Sequence, residues 1–157
     1  MNIKLIVIGK TKSKFLLDGE NEYKKRLKHY CKFSELIIPD IKNGGKLSKK
    51  ELKEKEGNLI LASIKNSDYV ILLDDKGLEL SSIGFSEFLN KKMVSSTNEL
   101  VFVIGGAFGF SESVYQRGNI KLSLSKMTFS HQMVRMIFKE QLYRAYTILK
   151  GEKYHHE

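Results

Sequence analysis

Residues 101–111 read VFVIGGAFGFS: an apolar run, two adjacent glycines, two aromatics and a serine. Strand, glycines and a helix-capping serine in that order let bare backbone approach a ligand, and a phosphate is the first candidate. The residues argue against it. No lysine follows the glycines as a Walker loop requires, and the spacing does not fit Gly-x-Gly-x-x-Gly. Two readings of Gly105 and Gly106 stay open: a tight strand-to-helix turn, or a bare backbone wall against a flat or extended ligand. LSLSKMTFS at 122–130 poses a similar choice. There Leu124, Met127 and Phe129 alternate with serine, lysine and threonine, which suits either buried filler or one side of a ligand slot. LLDDKG at 72–77 is a third loop of interest.

These loops need elements to hold them. Residues 3–8 (IKLIVI) form a near-continuous apolar run ending at Gly9, as in a strand buried on both faces. Residues 13–30 have helical spacing through Leu16, Tyr23, Leu27 and Tyr30. A second strand spans 33–38 and stops at Pro39, and the Gly- and Lys-rich segment 40–47 reads as a loop. Ser48 and Glu51 make a capping-box pattern for a helix through Ile64. Residues 69–73 are the third strand, with a turn at 74–77. Ser81 or Ser82 caps a helix carrying Phe85, Phe88, Leu89 and Met93. Residues 100–104 and 120–124 are the fourth and fifth strands, with a short helix capped by Ser111 between them. The last helix runs from about Ser130 to Lys150. Strands alternating with helices predict an α/β domain on a largely parallel sheet, with ligands beyond the carboxyl ends of its strands. The three loops all fall on that edge.

Bulk properties limit the partners. The chain has 157 residues, one proline and a net charge of +9, which suits one globular domain over 1–157 that buries about 70% of its unfolded surface. The charge is uneven: residues 1–56 carry +7, 57–125 carry −1 and 126–157 carry +3. A polyanion met by the two ends fits this pattern, and so does lysine kept for solubility. No apolar run is long enough for a membrane span or a signal peptide, and the lone Cys31 suits a reducing cytosol, so a cytoplasmic location is expected. No Cys or His cluster suggests a metal. On the last helix, Val134, Ile137, Phe138, Leu142, Ala145, Ile148 and Leu149 share one arc, while Met136 and Tyr143 form a second apolar patch. The first suits the core. The second suits a partner subunit or the edge of a broad core-facing stripe.

Taken together, VFVIGGAFGFS, LSLSKMTFSHQMVRMIFKEQLYRAY and the closing YHH closely resemble the RlmH family of ribosomal large-subunit methyltransferases H. The similarity covers essentially the whole chain, including IKLIVIGK and KEGNLILASIK. Two departures are visible. The family usually has proline where this chain has Ser130, and Arg or Lys where it has His156. The resemblance implies a SPOUT-type α/β fold with a C-terminal trefoil knot, a homodimer, and methylation of N3 of pseudouridine 1915 in 23S ribosomal RNA within the ribosome. It implies S-adenosylmethionine as the methyl donor, bound by Leu73, Gly105, Leu124, Ser125, Lys126, Met127, Thr128 and Phe129. Displacement at an activated methyl group needs alignment and a deprotonated nitrogen, without a metal. On that reading the catalytic candidates are Arg135, for a phosphate or developing charge, Tyr154, for stacking or its hydroxyl, and His155, a neutral base. His131 reads as structural. A ribosome-binding module that has lost catalysis and a transfer RNA methyltransferase of the same shape are the other readings of these residues.

Overall fold

The structure, a computed structural model, describes residues 1–156. Within them, five strands form one sheet: β1 (Asn2–Ile8), β2 (Lys32–Ile38), β3 (Tyr69–Glu79), β4 (Glu99–Ile104) and β5 (Ile120–Ser123). Their order is β2-β1-β4-β3-β5, and every neighbouring pair is parallel. The helices are α1 (Lys14–Leu27), α2 (Lys49–Ala62), α3 (Ser82–Val94), α4 (Glu112–Arg117) and α5 (Met133–Leu149). The expected α/β class is what the chain adopts.

Apolar alternation decides the layers, because successive strand residues point to opposite faces. Ile3, Leu5 and Val7 of β1 share one core with Leu100, Phe102 and Ile104 of β4; α1, α3 and α5 cover it with Leu27, Phe85, Leu89, Phe138 and Leu142. Ile6 and Ile8 share the other with Val101 and Val103, under Ile60 of α2 and Val114 of α4. Three helix starts follow their serines: Ser48 completes a capping box with Glu51, while Ser81 and Ser111 accept from the N–H groups of Gly84 and Val114. No helix among the described residues is long and apolar enough to cross a membrane.

The fold departs from the sequence reading in places that matter for the site. β3 does not stop at Leu73. It continues to Glu79, but its register against β5 breaks between Leu73 and Leu78, so Leu122 lies opposite both. The residues between bulge out at the sheet's carboxyl edge, carrying Asp74 and Asp75 with them. The segment 40–47 contains a single 3-10 turn at Gly44–Lys46. Ser130 caps a turn before α5, its Oγ accepting from Met133 N–H at 3.0 Å.

The second apolar patch of α5 is met within the chain. Met136 faces Gly19 of α1 closely enough that a Cβ there would collide with its sulfur. Tyr143 packs at a tilt against Tyr23 and edge-on against Tyr30 and Tyr154, at centroid distances of 6.1, 5.6 and 4.7 Å. That patch is therefore α1–α5 packing. The apolar residues left to solvent on this side include Phe15, 66% exposed, and Leu17, 43% exposed.

Candidate functional site

The three loops converge on an open cleft at the carboxyl edge of β3, β4 and β5, with about 710 Å³ of space up to its solvent mouth. That lies within the range of small-molecule pockets. Of the eight residues expected to hold the donor, Leu73, Gly105, Leu124, Ser125, Met127, Thr128 and Phe129 line it. Lys126 is exposed and outside the lining. The serines of this loop shape its own turns: Ser123 Oγ donates to the Ser125 carbonyl at 2.9 Å, and Ser125 Oγ accepts from Met127 N–H at 2.9 Å. Met127 is thereby left 77% exposed, an apolar lip at the mouth.

The cleft also holds residues that were not among the eight expected to hold the donor: Asp74 and Asp75 of the 72–77 loop, Gly109 and Phe110 of the 101–111 segment, and His131, which was read as structural. Asp74 is oriented. Its Oδ2 accepts from the Tyr115 hydroxyl at 2.5 Å and its Oδ1 from Lys76 N–H at 2.9 Å. Burial first, and then this carboxylate, hold the Tyr115 hydroxyl well above its ordinary range, so it remains a donor. Among the described residues no lysine or arginine lines the cleft, and both formal charges in it are carboxylates. A phosphate-bearing ligand finds no cation here. A ligand with its own positive charge, such as a sulfonium, finds complementary carboxylates and apolar walls, so the residues fit an S-adenosylmethionine-type donor.

Gly106 is bare for a second reason besides the turn. A Cβ on it would lie 2.7 and 2.8 Å from the carboxylate oxygens of Glu56, which reach over from α2. The sequence gives no signal of this, since Glu56 sits in a run of alternating charges that reads as a solvated helix face.

Arg135 does not face the cleft with a free cation. It is 1% exposed, and its guanidinium donates to the carbonyls of Ile8, Gly9 and His131 and to Thr11 Oγ1. Burial is the main influence lowering its affinity for its proton; Glu20, Glu35 and Asp40 oppose it. Thr11 in turn donates to Glu20, which with Glu35 flanks the fully buried Lys139 at 2.5 and 2.8 Å. The network ties α5 to the loop after β1. Arg135, expected to meet a phosphate or developing charge, directs its guanidinium to these groups of its own chain.

The tail folds back on α5. The Tyr154 hydroxyl donates to Glu140 at 3.1 Å, its ring lies 4.7 Å below the Arg144 guanidinium, and His155 Nδ1 is 3.3 Å from Arg144 Nη1. Burial first, then Tyr23 and Glu140, push the Tyr154 hydroxyl up from its ordinary range. Arginine can only donate, so Nδ1 of His155 accepts and the ring proton sits on Nε2. His155, expected as a neutral base, turns its Nδ1 to Arg144 in this arrangement. Val134 lines the cleft, whereas Glu140 and Arg144 lie about 9 and 15 Å further along the helix at about 1.5 Å per residue. The structure brings seven of the residues expected to hold the donor together and places the tail at a separate station on α5. Among the described residues no group of three or more His, Cys, Asp or Glu side chains could hold a metal.

Comparison with known proteins gives the family. Residues 1–155 match the family described as "Predicted SPOUT methyltransferase". The chain is 57% identical to a protein of Parabacteroides distasonis named Ribosomal RNA large subunit methyltransferase H, and 58% identical to one of the same name from Flavobacterium johnsoniae. Both alignments span 157 residues and the full length of each chain. A protein of that name from Bacteroides thetaiotaomicron is 48% identical, again over full length.

Proposed function

Because this chain belongs to the SPOUT methyltransferases and, among them, to the ribosomal RNA large subunit methyltransferase H family, we propose that it methylates N3 of pseudouridine 1915 in 23S ribosomal RNA. The donor in this reading is S-adenosylmethionine, and the substrate is the assembled ribosome. The observation that carries it is the cleft: its apolar walls, bare glycine backbone and paired carboxylates suit a cationic methyl donor, while full-length relatives carry the name of an RNA methyltransferase. The knotted C-terminus is part of the same reading, taken from the family.

The purine lies between Leu73, Leu124 and Met127 and against the backbone at Gly105. The stretch 124–129 closes over it, with Lys126 contributing main chain only. The net charge of +9 draws the chain to RNA, and a domain of this size leaves much of the contact surface to the ribosome. A tail anchored at Glu140, Tyr143 and Arg144 is offset along α5 from its own cleft, which favours a homodimer in which Tyr154 and His155 of one subunit serve the cleft of the other. Tyr154 stacks on or hydrogen-bonds the target base, and His155 Nε2–H donates to it. Arg135 acts through the loop after β1.

The test is methyl transfer from labelled S-adenosylmethionine to ribosomes lacking the mark, with mass spectrometry of helix 69. Methylation at N3 of pseudouridine 1915 is expected. Methyl incorporation into transfer RNA alone, or none into either RNA, would refute the reading.

A further inference from the structure

Glu56 makes no hydrogen bond to any described residue, although it is only 7% exposed. Among the described residues no fully buried side-chain oxygen lacks a partner, so each carboxylate oxygen of Glu56 keeps some contact with solvent. They lie 2.7 and 2.8 Å from the point where any other residue at position 106 would carry its Cβ. Gly106 itself lines the donor cleft. Glu56 itself stands behind that glycine, outside the lining, as an acceptor with no donor among the described residues.

A mostly buried carboxylate answered by solvent alone favours its protonated form. The charged group facing it is Asp40, from the loop after β2, which repels it; no cation within hydrogen-bond reach answers it among the described residues. Gly106 of the loop after β4 meets Glu56, and Asp40 rests on Gly9 at the end of β1. Such a group has a use if the reaction delivers a proton to it. Methylation of an imide nitrogen does so: the carbon–sulfur bond breaks with its electron pair going to sulfur, the nitrogen–carbon bond forms, and the N–H proton must leave. His155 presents a donor with its basic nitrogen engaged, so the tail does not supply the acceptor.

Resting on the proposed function, we infer that Glu56 is the general base, its carboxylate taking the proton from N3 of the target base at the rim of the cleft beside Gly106. Burial, and secondarily Asp40, raise its proton affinity above that of an ordinary carboxylate, which matches it to work nearer neutral pH. Because the folded state holds this proton more tightly than the unfolded chain, the protonated form stabilises the fold. That stability is present below the unfolded pKa and is lost as pH rises through the folded one.

The experiment compares the wild-type chain with Glu56→Gln and Glu56→Asp in three measurements. These are single-turnover methyl transfer to unmarked ribosomes against pH, S-adenosylmethionine affinity by calorimetry, and thermal melting. We expect Glu56→Gln to lose about a hundredfold or more in the chemical step. The acid limb of the wild-type profile should vanish, donor affinity should stay, and the melting temperature at neutral pH should not fall. Glu56→Asp should recover part of the rate. Glu56→Gln within a few-fold of wild type, or a rate loss matched by lost donor binding or stability, overturns the assignment. A wild-type chain that methylates no ribosome refutes the proposed function itself and takes the role of Glu56 with it.

Discussion

A side chain at position 105 tests the cleft most directly. A Cβ there would lie 3.1 and 3.2 Å from the ring of Phe110 and 3.4 Å from the carbonyl carbon of Gly109. Alanine is therefore tight but tolerable with shifts of a few tenths of an ångström. The two methyl groups of valine extend further and must displace the ring. Phe110 is 5% exposed and stands edge-on to Tyr115, at 5.6 Å, whose hydroxyl holds Asp74. The open side available to the ring is the cleft it lines. Overpacking of this kind costs about 1–3 kcal/mol. If Phe110 relieves the strain by entering the cleft, binding must restore that strain, so affinity falls about five- to 150-fold. The melting temperature falls by about 2–12 °C for a domain of this size. Calorimetry with S-adenosylmethionine and thermal melts of wild type, Gly105→Ala and Gly105→Val should give a graded series in both quantities. A Gly105→Val protein that melts lower yet binds the donor as tightly as wild type would show that Phe110 moves away from the cleft. The coupling argued here would then be wrong.

Lys139→Met leaves Glu20 and Glu35 buried without their cation. Loss of about 3–5 kcal/mol is expected, read as a melting temperature lower by about 6–20 °C; a change under 2 °C by the same melt would deny the triad its role. Tyr154→Phe removes only the hydroxyl that donates to Glu140, and His155→Ala removes the imidazole; each should lower the chemical step more than donor affinity, as single-turnover kinetics and calorimetry can separate. Mixing Gly105→Val with a chain truncated after Lys150 gives heterodimers with one intact cleft facing one intact tail, and activity should partly return. Heterodimers that form and stay inactive would place each tail at its own cleft. Ribosome affinity should fall linearly in log–log form with salt, by about 0.7–0.9 per phosphate neutralised; a flat response would make the basic ends solubility charge.

Local pattern was enough to determine the frame of this protein. Apolar runs at β1 and β4, serine caps at 48, 81 and 111, and glycines after β4 each act over a few residues, and the chain obeys them. The same is true of the three loops that line the cleft, because a parallel sheet brings its carboxyl-edge loops together whatever their composition. What failed to show was every feature made by residues far apart in the chain. The bulge that carries Asp74 and Asp75 arises from pairing with β5, some fifty residues later, where Leu122 meets both Leu73 and Leu78. Arg135 reads as a free cation on a helix until the carbonyls of Ile8 and Gly9 close around it. Met136 and Tyr143 read as an open face until α1 covers them. Glu56 is the sharpest case. In sequence it is one charge among several on α2, and only the packing of that helix against Gly106 turns it into a buried carboxylate beside the cleft, because burial and a neighbour's field are properties of the fold and not of the residue.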